Sequence, residues 1–489
     1  MSLVKNLVPL TVPVISIALL TTGCQTYEQK NKVIVYWREG NLAKAEAEAT
    51  KQANDNAKNK DAIVWRLEEG SALRALGNYD ASNKAFEQAQ NKIDSYELKA
   101  KVRLGQETVA LLSNQANLDY EGRSYDGIML NTYRALNYLA LGEPDKARPE
   151  LIRAYQRQQD AVEQNRKRIE KTRAEAAKNK NNALIEKAQK DPKFQAEIQG
   201  SLTNLNSVKV YADYVNPFVV YLDGLFFMAQ ATGFSDLERA RNSFERVASF
   251  VGYDEYSKQD MAMVENVIHG QPLPPTTYVI FETGCAPIRD QIRIDIPIIV
   301  YNVSYVGAAF PKLVPQGDFL PTLTVTANGV NYQTTTVANM DSIIALDYKN
   351  ELPVVIIKTL ASTITKATAS YFANSAANQQ NDTVGFLAQL VTAAYQMAVN
   401  IADTRTWSTL PKEFQVCRFP TPPDGQIELL TPKGTKVIVA LTGAGGAKND
   451  LTSTNGVQTS LNTGRGVNVV YVKSITAQTP LLVSQFKLK

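Results

Sequence analysis

Few residues in this chain could carry a reaction, and their spacing decides which one. Glu282 and Asp403 are the two carboxylates that a glycan hydrolase could pair across a glycosidic bond, one as general acid and the other as base or nucleophile. Asp403, Arg405 and Trp407 alternate in the run ADTRTW. That spacing suits a bidentate guanidinium–carboxylate clamp with an indole over it, closing a corner between a helix and a strand. His269 is the only histidine, and it sits in the connector His269-Gly270-Gln271-Pro272-Leu273-Pro274-Pro275. One histidine and no CxxC pair leave no ordinary zinc site. Gly443, Gly445 and Gly446, with Gly464 and Gly466 later, suggest a phosphate-cradling loop, but no Lys-Ser/Thr pair follows and no helix opens after them. The expectation is a protein without catalytic residues, metal or cofactor.

The elements that must hold these residues fall into two kinds, so an α+β multidomain chain is expected. Its 489 residues exceed what one hydrophobic core organises. From residue 24 to 270 the pattern is helical, with a recurring turn. Gly40-Asn41-Leu42 precedes Ala45 and Ala49; Gly77-Asn78-Tyr79 precedes Ser82, Phe86 and Ala89; Gly142-Glu143-Pro144 precedes Ala147, Leu151 and Ala154. A fourth copy has Gly233 followed by Ala240, Phe244 and Val247, and Gly70 and Gly224 lie upstream of two of the turns. These segments resemble the tetratricopeptide repeat, in which two helices join at a Gly-containing turn and pack through small residues. Such arrays offer a surface that grips a protein or peptide, or else pack against their own chain. Tyr120, Arg123, Tyr125 and Asp126, just before the central repeat, are the candidates for protein contact; their other fate is to plug the space between helix pairs.

Residues 156–200 are polar and charged, with a thin seam at Tyr155, Val162, Ile169 and Ala176. The expectation is a helical hairpin projecting as an assembly arm. After the proline-rich connector, residues 276–489 read as a mixed sheet. Strands are expected at 278–281 and 292–296, as hairpins turning at Asn328-Gly329 and around Pro432-Lys433-Gly434, and at 467–472 and 481–488. Two helices, about 354–378 and 383–402, are inserted among them. The second is nearly all apolar, as a core helix would be, or one lining an oligomeric pore.

Charge places few limits beyond excluding an obvious nucleic-acid partner, since the net of +4 comes from 52 basic and 48 acidic residues largely interleaved. The N-terminus is more informative. Lys5, an apolar run over 7–20 broken by Pro9 and Pro13, and Thr22-Gly23 before Cys24 resemble the lipobox of bacterial lipoproteins, with Thr21 where an aliphatic residue is usual. The alternative is an ordinary secretory signal cut nearby. The resemblance implies a leader over 1–23, removal of which leaves Cys24 lipidated, and Gln25 in place of Asp favours the outer membrane. In an oxidising periplasm the two remaining cysteines, Cys285 and Cys417, are expected to form a disulfide; two buried free thiols are the alternative.

Wider motifs point the same way. Tyr278-Val279-Ile280-Phe281-Glu282 with Gly284 and Ala286-Pro287, Pro311-Lys312-Leu313, the ADTRTW run with Leu410-Pro411, and the stretch from Tyr125 through Asn131 and Tyr138 to Gly142 are similar to a family of uncharacterised bacterial envelope lipoproteins. What the resemblance implies is a cell-envelope lipoprotein with no established reaction; the repeat array and the sheet edges, as binding surfaces, add the expectation of a non-catalytic scaffold facing the periplasm, with other envelope proteins or further copies of itself as partners. Glu282 and Asp403 keep open a second reading, an enzyme of peptidoglycan remodelling or an activator of one.

Overall fold

The computed structural model describes residues 31–102, 115–202, 211, 215–300, 303–378, 401–441 and 466–488. The leader 1–23, Cys24, the apolar helix expected from 383 as far as residue 400, and Gly443, Gly445, Gly446 and Gly464 lie outside the described residues. The fold is α+β, helices first and strands after the connector.

The helical part contains α1 (Lys32–Arg38), α2 (Leu42–Asp55), α3 (Ala62–Ala75), α4 (Tyr79–Val102), α5 (Ser124–Ala140), α6 (Pro144–Ala177), α7 (Asn182–Gln189), α8 (Pro192–Leu202), α9 (Pro217–Ala229), α10 (Phe234–Val251) and α11 (Glu255–Ile268). Three of the four predicted turns share one geometry. Gly40, Gly77 and Gly142 have φ of 74°, 77° and 75°, and in each the N–H of the next residue reaches back to the helix, as Asn41 N to Tyr36 O at 2.9 Å. This left-handed cap satisfies the last carbonyls and reverses the chain, and only glycine takes it without penalty. Gly233 differs: its backbone is extended and it begins α10 instead of ending α9.

Small residues then set how closely the helices approach. Ala45, Ala49, Ala89, Ala135, Ala147, Ala154 and Ala240 are fully buried. At Gly70 an added Cβ would lie 2.4 Å from the Phe86 ring. Ser82, where such repeats usually carry alanine, donates its hydroxyl to Gly70 O at 2.7 Å and so ties α4 to α3. Helices α5 and α9 lie innermost: in α5 only Ser124, Tyr138 and Ala140 are not buried, and in α9 every residue is.

The segment 156–200 does not stand apart as an arm. Helix α12 (Met340–Asn378), which begins well before the expected residue 354, runs along α6 and α7. The buried stripe of α6 is Ala154, Gln158, Ala161, Thr172 and Ala176, while Val162 of the expected seam is 46% exposed. Asn165 Nδ2 donates to Asn350 O and Asn181 Nδ2 to Thr365 Oγ1, both at 3.4 Å, so polar residues of the hairpin face α12.

The strands are β1 (Thr276–Thr283), β2 (Ile288–Val300), β3 (Val303–Val314), β4 (Thr324–Ala327), β5 (Val330–Gln333), β6 (Thr335–Asn339), β7 (Glu413–Pro420), β8 (Gln426–Leu430), β9 (Lys436–Ala440), β10 (Val467–Ser474) and β11 (Leu482–Lys487). They make a five-stranded sheet in the order β11-β10-β1-β7-β6, a two-stranded ribbon β2-β3, and a four-stranded sheet β5-β4-β8-β9. Asn328 and Gly329, at φ 51° and 74°, form the two-residue turn predicted between β4 and β5. Strand β1 pairs in parallel with β10 and antiparallel with β7, so the large sheet is mixed.

Alternation along β1 builds two cores. Tyr278 and Ile280 join the helices, while Val279 and Phe281 join Cys417, Phe419, Val325 and Leu429 beneath the four-stranded sheet. The first core runs from Val33 to Leu488, across the proline-rich connector. The expected Cys285–Cys417 disulfide is absent: both thiols are free and buried, Cys285 in the first core and Cys417 in the second. Cys417 sits opposite Val279 in the sheet, six residues from Cys285. At about 3.3 Å per residue of extended chain that separation far exceeds the roughly 7 Å a bridge spans.

Candidate functional site

Two polar clusters lie where the helices meet the strands. The first is centred on Glu282, which β1 aims at the helical side. Its Oε1 accepts from the hydroxyls of Tyr133 (2.7 Å, from α5) and Tyr471 (2.6 Å, from β10), and its Oε2 from Lys473 Nζ at 2.8 Å. Burial works against ionisation, yet the charges of Lys473 and Arg74 outweigh it and hold this carboxyl below its ordinary value. Arg74, on α3, donates to Asn137 Oδ1 at 2.6 Å and lies over the rings of Tyr79, Tyr133 and Tyr471. Between these groups and β11 is a cavity of about 30 Å³, room for about one water-sized species.

The second cluster holds the four candidate contact residues, and it buries them. Tyr120, Tyr125 and Asp126 are 4%, 2% and 0% exposed, and Arg123 is half-buried. They do not offer a docking surface; polar side chains here meet polar partners from distant parts of the chain. Tyr120 Oη donates to Asp126 Oδ2 at 2.5 Å, and Arg123 N donates to the same oxygen at 2.8 Å, capping α5. Glu351, from α12, receives Arg123 and, at 3.1 Å, Arg289 from β2. Burial would raise the Glu351 carboxyl, but Arg123 and Arg289 together hold it far below its usual range. Asp347, one turn earlier, goes the other way: burial and the neighbouring Glu351 charge raise it to about 6. Nε and Nη2 of Arg289 are buried with no partner among the described residues.

Asp403 and Arg405 form the clamp expected from their spacing, with Arg405 Nε to Asp403 Oδ1 at 2.7 Å and Nη2 to Oδ2 at 3.0 Å. The aromatic ring over it belongs to Tyr120, with the Arg405 guanidinium 5.3 Å from its centroid. Trp407 instead points into the helices, packing on Phe86 and Tyr133 and donating Nε1 to Ser71 Oγ at 2.9 Å. Next to it, Glu68 accepts four hydrogen bonds from the backbone and hydroxyls of Ser408 and Thr409, and Asn31 Nδ2 donates to Ser408 Oγ at 3.1 Å. Residues 403–409 are thus held by α3, by α5 and by Asp61, whose carboxylate takes Arg405 Nη1 at 3.1 Å.

Among the described residues Glu282 and Asp403 are held by separate partners, Glu282 by Tyr133, Tyr471 and Lys473 and Asp403 by Arg405. Burial raises the thiol of Cys285 to about 11 and that of Cys417 further, which removes thiolate character from both. His269 caps the end of α11 through its backbone N–H to Glu265 O at 3.0 Å. Among the described residues no group of His, Cys, Asp and Glu converges as metal ligands. The sequence reading missed Glu68, Arg74, Lys473, Arg289 and Glu351. Their one signal is a charged residue on an otherwise apolar face, as Glu68 in AIVWRLEEGSALRA and Lys473 in VNVVYVKS. No protein family, curated protein or solved structure matches the chain.

Proposed function

We propose that the chain is a lipid-anchored protein of the bacterial cell envelope, attached at Cys24 to the outer membrane and facing the periplasm, where it acts as a non-catalytic scaffold for other envelope proteins or further copies of itself. Its helical part is a degenerate array of the tetratricopeptide kind. The observation that carries this reading is that the reactive groups are spent on internal partners: Glu282 on Lys473 and two tyrosines, Asp403 on Arg405, and both thiols on apolar surroundings. Residues 403–409 likewise lie against α3 and Asp61, and that contact supports docking on outer surfaces. Among the described residues no helix is long and apolar enough to cross a membrane, and acyl chains on Cys24 would supply attachment without one.

The test has two arms. Metabolic labelling with an alkyne palmitate should mark the wild-type chain and spare Cys24→Ser; an unlabelled wild type removes the anchor. Crosslinking in intact cells followed by purification should recover a stoichiometric envelope protein or multiples of the chain, and recovery of uncrosslinked monomer alone removes the scaffold.

A further inference from the structure

The cavity beside Glu282 has a lining whose chemistry is one-sided. Two cations border it, Arg74 and Lys473, against one carboxylate. That carboxylate already receives three hydrogen bonds, two of them on Oε1. Arg74 makes no direct ion pair with a carboxylate among the described residues, though the Glu282 charge is near; of its five N–H groups, one meets the neutral amide oxygen of Asn137 and another the hydroxyl of Tyr471. Ser71 Oγ accepts from Trp407 Nε1, which leaves its own proton to donate, and Ser71 lines the same cavity from a position 4% exposed. On the outer side the half-buried Ser484 of β11 adds another hydroxyl.

The side chains around this space therefore offer donors and a surplus positive charge. A water molecule placed there would leave the excess charge uncompensated, whereas an anion takes donors from Arg74, Lys473 and Ser71 and offsets a partly buried cation. We propose that the cavity binds one small monovalent anion, a halide or the carboxylate end of a larger molecule whose remainder passes out beside Ser484. At about 30 Å³ it takes a single such group and excludes sulfate with its hydration shell.

The experiment is thermal unfolding of the full chain in non-ionic detergent, with sodium bromide or acetate replacing gluconate at constant ionic strength. The site predicts a midpoint that rises by about 1–2 °C for each tenfold increase in bromide beyond half-saturation, while sulfate has no such effect. Acetate acting like bromide, and competing with it, identifies the occupant as a carboxylate; bromide acting alone identifies a free halide. Ser484→Asp supplies a tethered carboxylate and should raise the midpoint in gluconate while abolishing the bromide response. Arg74→Gln should lose the response, and if that variant does not fold, Ser484→Asp stands without it. A midpoint that follows bromide, acetate and gluconate alike, or a Ser484→Asp chain that keeps the full bromide response, overturns the proposal.

Discussion

Glu68 and Ser408 are 340 positions apart, and a single carboxylate oxygen of Glu68 receives both the backbone N–H and the hydroxyl of Ser408, at 2.7 and 2.6 Å. The other oxygen does the same for Thr409, at 3.2 and 2.6 Å. A buried segment of irregular backbone needs acceptors that no sheet or helix supplies, and this carboxylate provides them.

Removing that acceptor should be costly. Glu68→Ala would strand two backbone N–H groups and two hydroxyls away from water, a loss of about 3–5 kcal/mol in urea unfolding, whereas Glu68→Gln keeps one acceptor oxygen and should lose less. Equal losses in the two variants would show that side-chain volume, and not the hydrogen bonds, fixes residues 408 and 409.

A pH dependence follows from Asp260, which accepts from Tyr221 at 3.0 Å, Tyr278 at 2.7 Å and Arg418 at 2.9 Å. Burial outweighs the opposing Arg418 charge and raises its carboxyl to about 6 from an ordinary 3.8. The folded chain therefore holds this proton more tightly than the unfolded chain, so the associated stability is present below about pH 4 and is lost as pH rises through 6. The stability of wild type minus that of Asp260→Asn should fall by about 2 kcal/mol between pH 4 and 6.5 and then level. A difference that stays flat over this range contradicts the assignment.

The cysteines give a direct chemical check. With both thiols buried and raised, a thiol reagent should leave Cys285 and Cys417 unmodified in the folded protein at pH 8. In denaturant without reductant it should modify both. A peptide map of the non-reduced chain containing a Cys285–Cys417 bridge would contradict the placement of the two residues on opposite faces of the sheet.

Close approach of α3 and α4 depends on Gly70. Gly70→Ala should destabilise the protein by about 1–3 kcal/mol through collision with the Phe86 ring, and combining it with Phe86→Leu should recover part of that loss. Strict additivity of the two changes in chemical denaturation would place the strain elsewhere.

Local signals in the sequence proved readable where local chemistry decides the outcome. The left-handed turns at Gly40, Gly77 and Gly142 and the Asn328-Gly329 hairpin follow from backbone freedom alone. The Asp403–Arg405 clamp follows from two residues in one short run. What depended on distant partners was hidden. Tyr120 covers Arg405 across 285 positions, and Tyr125 reaches Thr406 at 3.3 Å, yet nothing near either tyrosine announces burial. The seam expected along α6 differs from its inward face because that face is set by distant neighbours: Gln158 is buried and accepts from Asn216 N at 2.7 Å, and Thr172 is buried, while Val162 is exposed. Strand β7 and the parallel pairing of β10 went unread for the same reason, since a strand's neighbours are fixed by the whole sheet.

The position of β10 also bears on how the protein is made. A ribosome delivers β1 almost two hundred residues ahead of the strand that lies parallel to it, and Thr276 meets Val467 only when synthesis is nearly over. Until then one long side of β1 has no mate, and Glu282 has neither Tyr471 nor Lys473 to neutralise it. Nascent chains would have to be shielded, or kept from collapsing, from the emergence of β1 until the end of translation, and loss of the last two dozen residues would leave an aggregation-prone intermediate in place of a slightly shorter protein.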